Sequence, residues 1–355
     1  MNKLFLGDAF EVLPTLKSES VDLVFIDPPY FMQTEGSLVR SEGTLFDEIA
    51  EHWDKFDSFN DYDIFTINYL NEIKRIMKKN ASLWIIGSFQ NIYRIGKILQ
   101  DMGFWIINDI IWKKSNPTPN FKGTRFTNSH ETLLWVIKDK NSKYTFNYKT
   151  MKYLNGNKQM GSVWEIPICA GSERIKIDGK KAHPTQKPEK LLENIILATS
   201  KQKDIVLDPF MGIGTTAAVA KRLGRNYIGI EREEKYFNLA KKRVENEKVL
   251  DTPLYRNILD IKPPKVKITD MIEKGYFKKN ENFLDKNEKF SFKLDENGKL
   301  EKHSIHKLSA KLQNKINFNG WEYWYVKRDD KLISINEIRK EYWKKELGYE
   351  CINWS

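Results

Sequence analysis

The chain has 355 residues, with 59 Lys and Arg against 48 Asp and Glu, which gives a formal net charge of +11. A hydrophobic fraction of 40% with 13% aromatic residues excludes a disordered chain and predicts a globular protein of two domains. No run of 18 apolar residues, no signal peptide and only two cysteines argue against a membrane span, secretion and a disulfide framework. We therefore expect a cytoplasmic protein whose positive charge favours a polyanionic partner such as nucleic acid.

Short apolar runs alternate with longer segments of helical period, which is typical of an α/β sheet with crossover helices. In chain order the first set comprises a helix carrying Phe10, Leu13 and Leu16, a strand at 21–26, a helix at 61–79, a strand at 82–86, a helix at 92–102, and strands at 104–112 and 132–137. The second set comprises a helix at 188–200, a strand at 204–207, a helix at 215–223, a strand at 227–230 and a charged helix from 233 onward.

Two stretches interrupt this alternation. Residues 144–182 are rich in Lys, Asn and Gly and show no sustained period. Insertions into α/β enzymes usually lie at the substrate end of the sheet, so we expect a target-recognition region here. The basic, proline-containing segment 261–265 is a linker candidate. These features predict a catalytic domain over residues 1–262 and a small basic domain over residues 263–355.

A glycine-rich turn follows the strand predicted at 204–207 and opens the next helix. Gly212 and Gly214 permit a tight turn and a close approach of a ligand to the backbone. Glu231 ends the following strand, where a carboxylate can accept hydrogen bonds from both hydroxyls of a ribose. The turn predicts a nucleoside-containing cofactor, but the spacing to Ala217 also fits a dinucleotide, so the cofactor stays open at this point.

A second motif, DPPY at residues 27–30, follows the strand at 21–26 and lies at the carboxyl edge of the sheet. Its two prolines fix an extended turn whose carbonyls stay outside any helix. Asp27 and the carbonyl of Pro28 can accept hydrogen bonds from an exocyclic amine, and Tyr30 offers a flat face to a base. These acceptors would localise the nitrogen lone pair so that the amine can attack a sulfonium methyl.

DPPY followed by DPFMGIGTT at residues 208–216 resembles the β-group of S-adenosylmethionine-dependent DNA amino-methyltransferases. The resemblance implies a Rossmann-like class I methyltransferase fold, an α/β mixed sheet with circularly permuted motif order, and a small C-terminal DNA-binding domain. DPPY rather than SPPY favours adenine N6 over cytosine N4. It further implies direct transfer to an adenine flipped out of double-stranded DNA.

Shorter blocks along the chain are similar to HinfI-type and CcrM-like methyltransferases. They include the segments at 87–94, 116–121, 128–132, 304–307 and 319–321. This narrower resemblance implies methylation of adenine in GANTC. One departure is Met211 and Ile213, where relatives tend to have Phe and Thr, although both neighbouring glycines are kept. A homodimer and a cognate restriction endonuclease acting on the same site stay open as partners.

The resemblance implies three groups of site residues, and no metal site is predicted because His183, His303 and His306 have no partners at ligand spacing. The catalytic group is Asp27, Pro28, Pro29 and Tyr30. The group for S-adenosylmethionine is Asp8, Ala9, Asp27, Thr185, Gln186, Lys187, Asp208, Pro209, Phe210, Gly212, Gly214, Thr215, Thr216 and Glu231. The group for DNA is Asn116, Asn120, Lys122, Arg125, His306, Lys307 and Trp321.

Several alternatives stay open. The loop at 116–125 could be an ordinary solvated loop, and Trp321, Tyr323 and Tyr325 could be the buried face of one strand. Cytosine-N4 or RNA methylation is the nearest functional alternative. An NAD-dependent oxidoreductase would explain residues 212–231 but not DPPY. It would also not explain HPTQKP at 183–188, which resembles a loop that closes over the methyl donor. A non-catalytic DNA-binding protein would not require DPPY either.

Overall fold

A computed structural model describes residues 2–31, 56–120 and 123–349, together with the backbone of residues 38–39 and 45–46. The chain divides into two units, Met1–Asp260 and Ile261–Ser355. Among the described residues, no helix has the length and apolar character that a membrane span requires.

Twelve strands are found in the described part of the first unit, and eight of them form one mixed sheet. In chain order they are β1 (Lys3–Leu6), β2 (Val21–Ile26), β3 (Leu38–Val39), β4 (Leu45–Phe46), β5 (Met77–Gly87), β6 (Trp105–Lys114), β7 (His130–Ile137), β8 (Val163–Ile166), β9 (Lys176–Ile177), β10 (Lys180–Lys181), β11 (Ile205–Asp208) and β12 (Asn226–Glu231). The sheet has the order β1-β12-β11-β2-β5-β7-β6-β8, and the pairs β3-β4 and β9-β10 stand apart from it.

Helices cover both faces of this sheet. They are α1 (Ala9–Val12), α2 (Phe59–Ile76), α3 (Ile92–Asp101), α4 (Tyr148–Leu154), α5 (Glu189–Thr199), α6 (Thr215–Arg222) and α7 (Glu234–Asn246). Residues of α1, α2 and α3 pack on one face of the sheet, and residues of α4, α5 and α6 pack on the other. Strand β2 is buried on both faces, which explains why its sequence reads as a continuous apolar run.

The direction of β7 decides which residues meet at the carboxyl edge of the sheet. Strands β1, β12, β11, β2 and β5 are parallel to one another, whereas β7 is antiparallel to β5. Gly87, at the end of β5, pairs with Thr132, near the start of β7. The beginning of β7 therefore lies beside the carboxyl ends of its parallel neighbours.

Two predicted boundaries in the first unit are wrong. The helix predicted at 61–79 ends at Ile76, and β5 begins at Met77 instead of Ser82. Met77 pairs with Val21 of β2, so strand pairing overrides the helical spacing of its side chain. The region at 144–182 is also more regular than its sequence suggests, because it contains α4 and supplies β8, which pairs with β6.

The second unit has its own antiparallel sheet and core. Its elements are α8 (Ile268–Glu273), β13 (Asn282–Asp285), β14 (Ser291–Lys293), α9 (Ile305–Leu312), α10 (Gly320–Tyr323), β15 (Trp324–Arg328), β16 (Lys331–Ser334) and α11 (Ile335–Leu347). The strand order is β14-β13-β15-β16. A single strand carrying Trp321, Tyr323 and Tyr325 is therefore the wrong interpretation: Asn319 caps α10 by accepting the N–H of Trp321, and the strand begins only at Trp324.

Candidate active site

A cavity of about 380 Å³ opens at the carboxyl edge of the large sheet, where β2, β11 and β12 end. The whole DPPY motif lines it. Every residue predicted to bind the cofactor lines it except Gly214; they are Asp8, Ala9, Asp27, Thr185, Gln186, Lys187, Asp208, Pro209, Phe210, Gly212, Thr215, Thr216 and Glu231. The fold thus brings two motifs that are far apart in the sequence to one cavity.

The two glycines of the turn between β11 and α6 have different surroundings. Both have positive φ, +52° at Gly212 and +75° at Gly214. A Cβ on Gly214 would lie 2.8 Å from the Cβ of Ala240 in α7, so this glycine permits helix packing. A Cβ on Gly212 would lie 3.4 Å from the imidazole of His183, at the cavity. Gly212 therefore lines the cavity, Gly214 does not, and the contact of Gly214 with the cofactor stays a prediction.

The carboxylates beside this turn are held by backbone N–H groups and one hydroxyl. Asp208 accepts the N–H of Phe210 at 3.1 Å and the hydroxyl of Thr216 at 2.5 Å. Glu231 accepts the N–H of Glu233 at 2.8 Å. Burial raises the pKa of Asp208 to about 7, and burial also raises the pKa of Glu231. The positions of these two carboxylates are therefore fixed mainly by nearby backbone N–H groups.

The backbone of DPPY is braced by a chain of buried polar side chains. The hydroxyl of Tyr62 donates to the Pro29 carbonyl at 2.9 Å, and the amide of Asn91 donates to that hydroxyl at 2.9 Å. Asn91 in turn accepts the N–H of Ser88 at 2.9 Å. The next residue, Phe31, adopts φ of +51° and is buried against other rings, so it belongs to the core. These contacts fix the direction in which the motif faces the cavity.

Asp27 forms an ion pair with Lys187 inside the cavity. The ammonium lies 2.8 Å from Asp27 Oδ2 and 5.1 Å from the ring centroid of Tyr30. Burial alone would lower the pKa of Lys187, but the carboxylates of Asp27 and Glu131 raise it, so the ammonium stays charged. Lys187 also lines the cavity, and its predicted contact with the cofactor stays a prediction.

Glu131 completes this cluster and was not among the predicted site residues. It accepts the hydroxyl of Tyr30 at 2.9 Å and lies 2.8 Å from the ammonium of Lys114. The signal was available in the sequence, since Glu131 directly precedes a predicted strand. That strand runs antiparallel to its neighbour, so its beginning, rather than its end, reaches the active edge.

The segment HPTQKP connects the inserted region to α5, and four of its residues line the cavity. Gln186 is buried; its amide donates to the carbonyl of Glu173 and its oxygen accepts the N–H of Ile175. The ring of His183 packs edge-on against the ring of Tyr236, with the two ring centroids 4.6 Å apart. Burial lowers the pKa of His183 to about 4, with a further contribution from the charges of Lys187 and Arg174, so the imidazole is neutral at pH 7.

The loop predicted to reach DNA is braced by its own polar side chains. Asn116 accepts the N–H of Ile168 at 2.8 Å, and the amide of Asn120 donates to the carbonyl of Arg125 at 2.7 Å. The guanidinium of Arg125 lies 5.7 Å from the ring centroid of Phe89. Lys122 lies outside the described residues.

In the second unit, a groove of about 840 Å³ brings together part of the predicted DNA-binding group. His306 and Lys307 line it with Lys311 and Lys315. Trp321 does not: it is buried in the core of this unit, with the guanidinium of Arg339 4.5 Å from its ring centroid. The expectation that Trp321 contacts DNA is therefore corrected, because a buried ring has no face for a base.

Comparisons with known proteins identify the class to which this fold and cavity belong. Residues 21–242 match the sequence model of the N6 and N4 methyltransferase family, described as DNA methylase. The chain belongs to this family of DNA methylases. Its relatives and structural neighbours make it a site-specific DNA methyltransferase that uses S-adenosylmethionine.

Two relatives narrow the class further. The chain is 52% identical over 347 residues to Type II methyltransferase M.HinfI of Haemophilus influenzae, covering 96% of this chain and 97% of the relative. It is 46% identical over 249 residues to Type II methyltransferase M2.DpnII of Streptococcus pneumoniae, covering 69% of this chain and 91% of the relative. The predicted resemblance to HinfI-type methyltransferases is confirmed.

Two solved structures support the fold. M1.HpyAVI in complex with SAM is 31% identical, with a TM-score of 0.51, covering 69% of this chain and 99% of that one. The PvuII cytosine-N4-specific DNA methyltransferase is 20% identical, with a TM-score of 0.53, covering 73% and 93%. The predicted class I methyltransferase fold and the predicted cofactor are confirmed.

Proposed function

We propose that this enzyme transfers a methyl group from S-adenosylmethionine to N6 of adenine in double-stranded GANTC sites. The observation that carries the proposal is that the DPPY motif and the turn at Gly212 line one cavity. An amine held at Asp27 would then be close to a cofactor held at the turn. The choice of adenine rests on DPPY, and the choice of GANTC rests on the blocks shared with HinfI-type enzymes.

The residues of the cavity fit S-adenosylmethionine. Gly212 leaves room that a Cβ would take, and Glu231 presents a carboxylate at the end of β12, suited to the hydroxyls of a ribose. Phe210 and Ile230 supply apolar walls. When bound, this cofactor supplies a methyl group activated by a sulfonium.

The chain's own residues position and activate the target amine. The carboxylate of Asp27 and the carbonyl of Pro28 would accept its two N–H groups, which localises the nitrogen lone pair away from the ring. Tyr62 holds the neighbouring Pro29 carbonyl, so the motif is fixed before the base arrives. Tyr30 would stack on the flipped adenine. No covalent enzyme intermediate is needed.

DNA binding is assigned to three regions as part of this proposal. The region at 144–182, which contributes β8 to the sheet, would recognise the target together with Asn116, Asn120 and Arg125. The second unit would bind the duplex through the groove that contains His306 and Lys307. We also propose that the enzyme acts in the cytoplasm. A homodimer and a cognate endonuclease stay predictions from the resemblance.

One experiment tests the reaction and the site together. The protein is incubated with methyl-labelled S-adenosylmethionine and either a GANTC duplex or a duplex in which only the target A·T pair is reversed. The modified nucleosides are then identified by chromatography. We expect N6-methyladenine in the first duplex alone. Methylcytosine, or equal labelling of both duplexes, would contradict the proposal.

A second experiment tests the groove of the second unit. Lys307→Ala and Lys311→Ala each remove a cation that would contact a phosphate. Each should weaken binding to any duplex sequence and reduce the slope of log K against log salt by about one. Lys97→Ala is the matched control, because Lys97 is exposed and paired with Asp101 on α3. Unchanged slopes in both groove variants would remove the groove from the DNA interface.

A further inference from the structure

A buried cluster of alternating charges lies beside the DPPY motif, and the reaction described above leaves half of it unexplained. Its members are Asp27, Lys187, Glu131 and Lys114, with the hydroxyl of Tyr30 between them. We infer that Glu131 is a positioning residue, which orients Tyr30 and receives the Lys187 ammonium when the target amine takes its place on Asp27. This inference rests on the proposed transfer to an amine held at Asp27.

Lys187 occupies the groups that the target base needs. Its ammonium is bound to Asp27 at 2.8 Å and lies over the ring of Tyr30. The proposed mechanism requires that carboxylate for the amine and that ring for stacking. The ammonium must therefore leave Asp27, at least in part, before the amine can be held there.

A second carboxylate is already in place to receive this ammonium. Glu131 Oε2 lies 4.0 Å from Lys187 Nζ, so a small side-chain movement converts the long contact into a direct hydrogen bond. Lys187 is only 8% exposed, and a buried ammonium without a counter-charge is strongly disfavoured. The exchange from Asp27 to Glu131 avoids that state, since the ammonium stays paired throughout.

Glu131 can accept this ammonium without losing its other partners. Lys114 is bound to Oε1, and the hydroxyl of Tyr30 is bound to Oε2. A carboxylate has about four acceptor positions, so one more donor can be accommodated. Burial alone would raise the pKa of Glu131, but the charges of Lys187 and Lys114 lower it, which keeps the carboxylate ionised.

The same carboxylate orients the stacking ring. Tyr30 belongs to the loop after β2, and its hydroxyl donates to Glu131, the second residue of β7. Glu131 does not line the cavity, so it acts through Tyr30 and Lys187 rather than on the cofactor. Its substitution should therefore affect turnover on DNA much more than binding of S-adenosylmethionine.

The test measures kcat, KM for a GANTC duplex and Kd for S-adenosylmethionine in the full-length protein. In Glu131→Gln, the Lys187 ammonium loses the carboxylate that would receive it, so it stays on Asp27 and competes with the amine. We expect kcat to fall about 10- to 100-fold, with Kd within about twofold of wild type. Asp101→Asn is the matched control, because Asp101 is also paired with a lysine, Lys97, but at the surface on α3. It should leave all three constants unchanged.

Two further variants separate positioning from simple structural damage. Glu131→Gln combined with Lys187→Met removes the competing ammonium and restores the balance of charge, so kcat should recover several-fold over Glu131→Gln alone. Glu131→Asp keeps the negative charge and should retain at least about a tenth of the wild-type kcat. It also provides the readout if the Gln variant does not bind S-adenosylmethionine.

The outcomes distinguish this inference from the proposed function. A wild-type protein that methylates no adenine overturns the proposed function, and the inference with it. If the wild type is active, a Glu131→Gln kcat equal to that of Asp101→Asn overturns the inference alone. A double variant no faster than Glu131→Gln, or a Glu131→Asp variant slower than Glu131→Gln, does the same.

Discussion

The two ends of the cavity hold their carboxylates by different means. At the catalytic end, Asp27 is paired with the side chain of Lys187, which comes from a distant part of the chain. At the glycine-rich end, Asp208 and Glu231 accept N–H groups from residues two positions further along the chain. The catalytic end is therefore organised by side chains that can exchange partners, and the glycine-rich end mainly by local backbone N–H groups, with the hydroxyl of Thr216 as a further donor.

This difference matches the tasks proposed for the two ends. A cofactor is bound in one conformation, and a pre-formed backbone cradle does this without reorganisation. A flipped base has to displace whatever occupies its hydrogen-bond acceptors, so these polar groups need partners that can move aside. The ion pair of Asp27 with Lys187 supplies such a partner.

The largest expected effect is at the catalytic end of the cavity. Asp27→Ala removes the acceptor for the amine, so kcat should fall by about 10³-fold or more. Binding of S-adenosylmethionine, followed by calorimetry, should remain measurable because the backbone turn is untouched. The variant should also melt at a lower temperature, since Lys187 loses its nearest carboxylate. Full activity would contradict the proposed mechanism.

An intermediate effect is expected at the glycine-rich end of the cavity. Gly212→Ala introduces a Cβ at φ of +52°, 3.4 Å from His183, on the cavity wall. We expect the Kd for S-adenosylmethionine to rise about 10- to 100-fold, whereas affinity for duplex DNA without cofactor stays the same. Gly156→Ala is the matched control, with φ of +61° and open space around its Cβ. Equal effects in both variants would mean that backbone strain alone is responsible.

The location of the glycine-rich end was the more predictable of the two from the sequence. Strands β2 and β11 are short apolar runs bounded by turn residues, and their carboxyl ends must meet at one edge once the sheet is parallel. The motifs DPPY and DPFMGIGTT directly follow those strands, so their place at a common cavity follows from local sequence and topology.

The side-chain contacts of the catalytic end could not be predicted in the same way. Lys187 is 160 residues from Asp27, and the pair forms only because the segment before α5 folds over the end of β2. Glu131 reaches Tyr30 because β7 runs antiparallel, a direction that apolar periodicity does not encode. The burial of Trp321 likewise depends on the packing of the whole second unit.

The smallest expected effect is on the pH dependence of protein stability, through Asp208 at the glycine-rich end. Burial raises the pKa of Asp208 from 3.8 to about 7, since its hydrogen bonds from Thr216 and Phe210 offset the loss of solvation only in part. A raised pKa means that the folded protein binds this proton more tightly than the unfolded chain does. The resulting stability is complete below about pH 4 and is lost as the pH rises through 7.

Asp208→Asn tests this difference between the two ends, because the amide is neutral at every pH. Without cofactor, the wild type should lose about 1 kcal/mol relative to the variant between pH 6 and pH 8. Thermal melting of both proteins at pH 6, 7 and 8 measures it, as a gap in Tm that widens with pH by a few degrees. A gap that stays constant would mean that Asp208 is already ionised at pH 6.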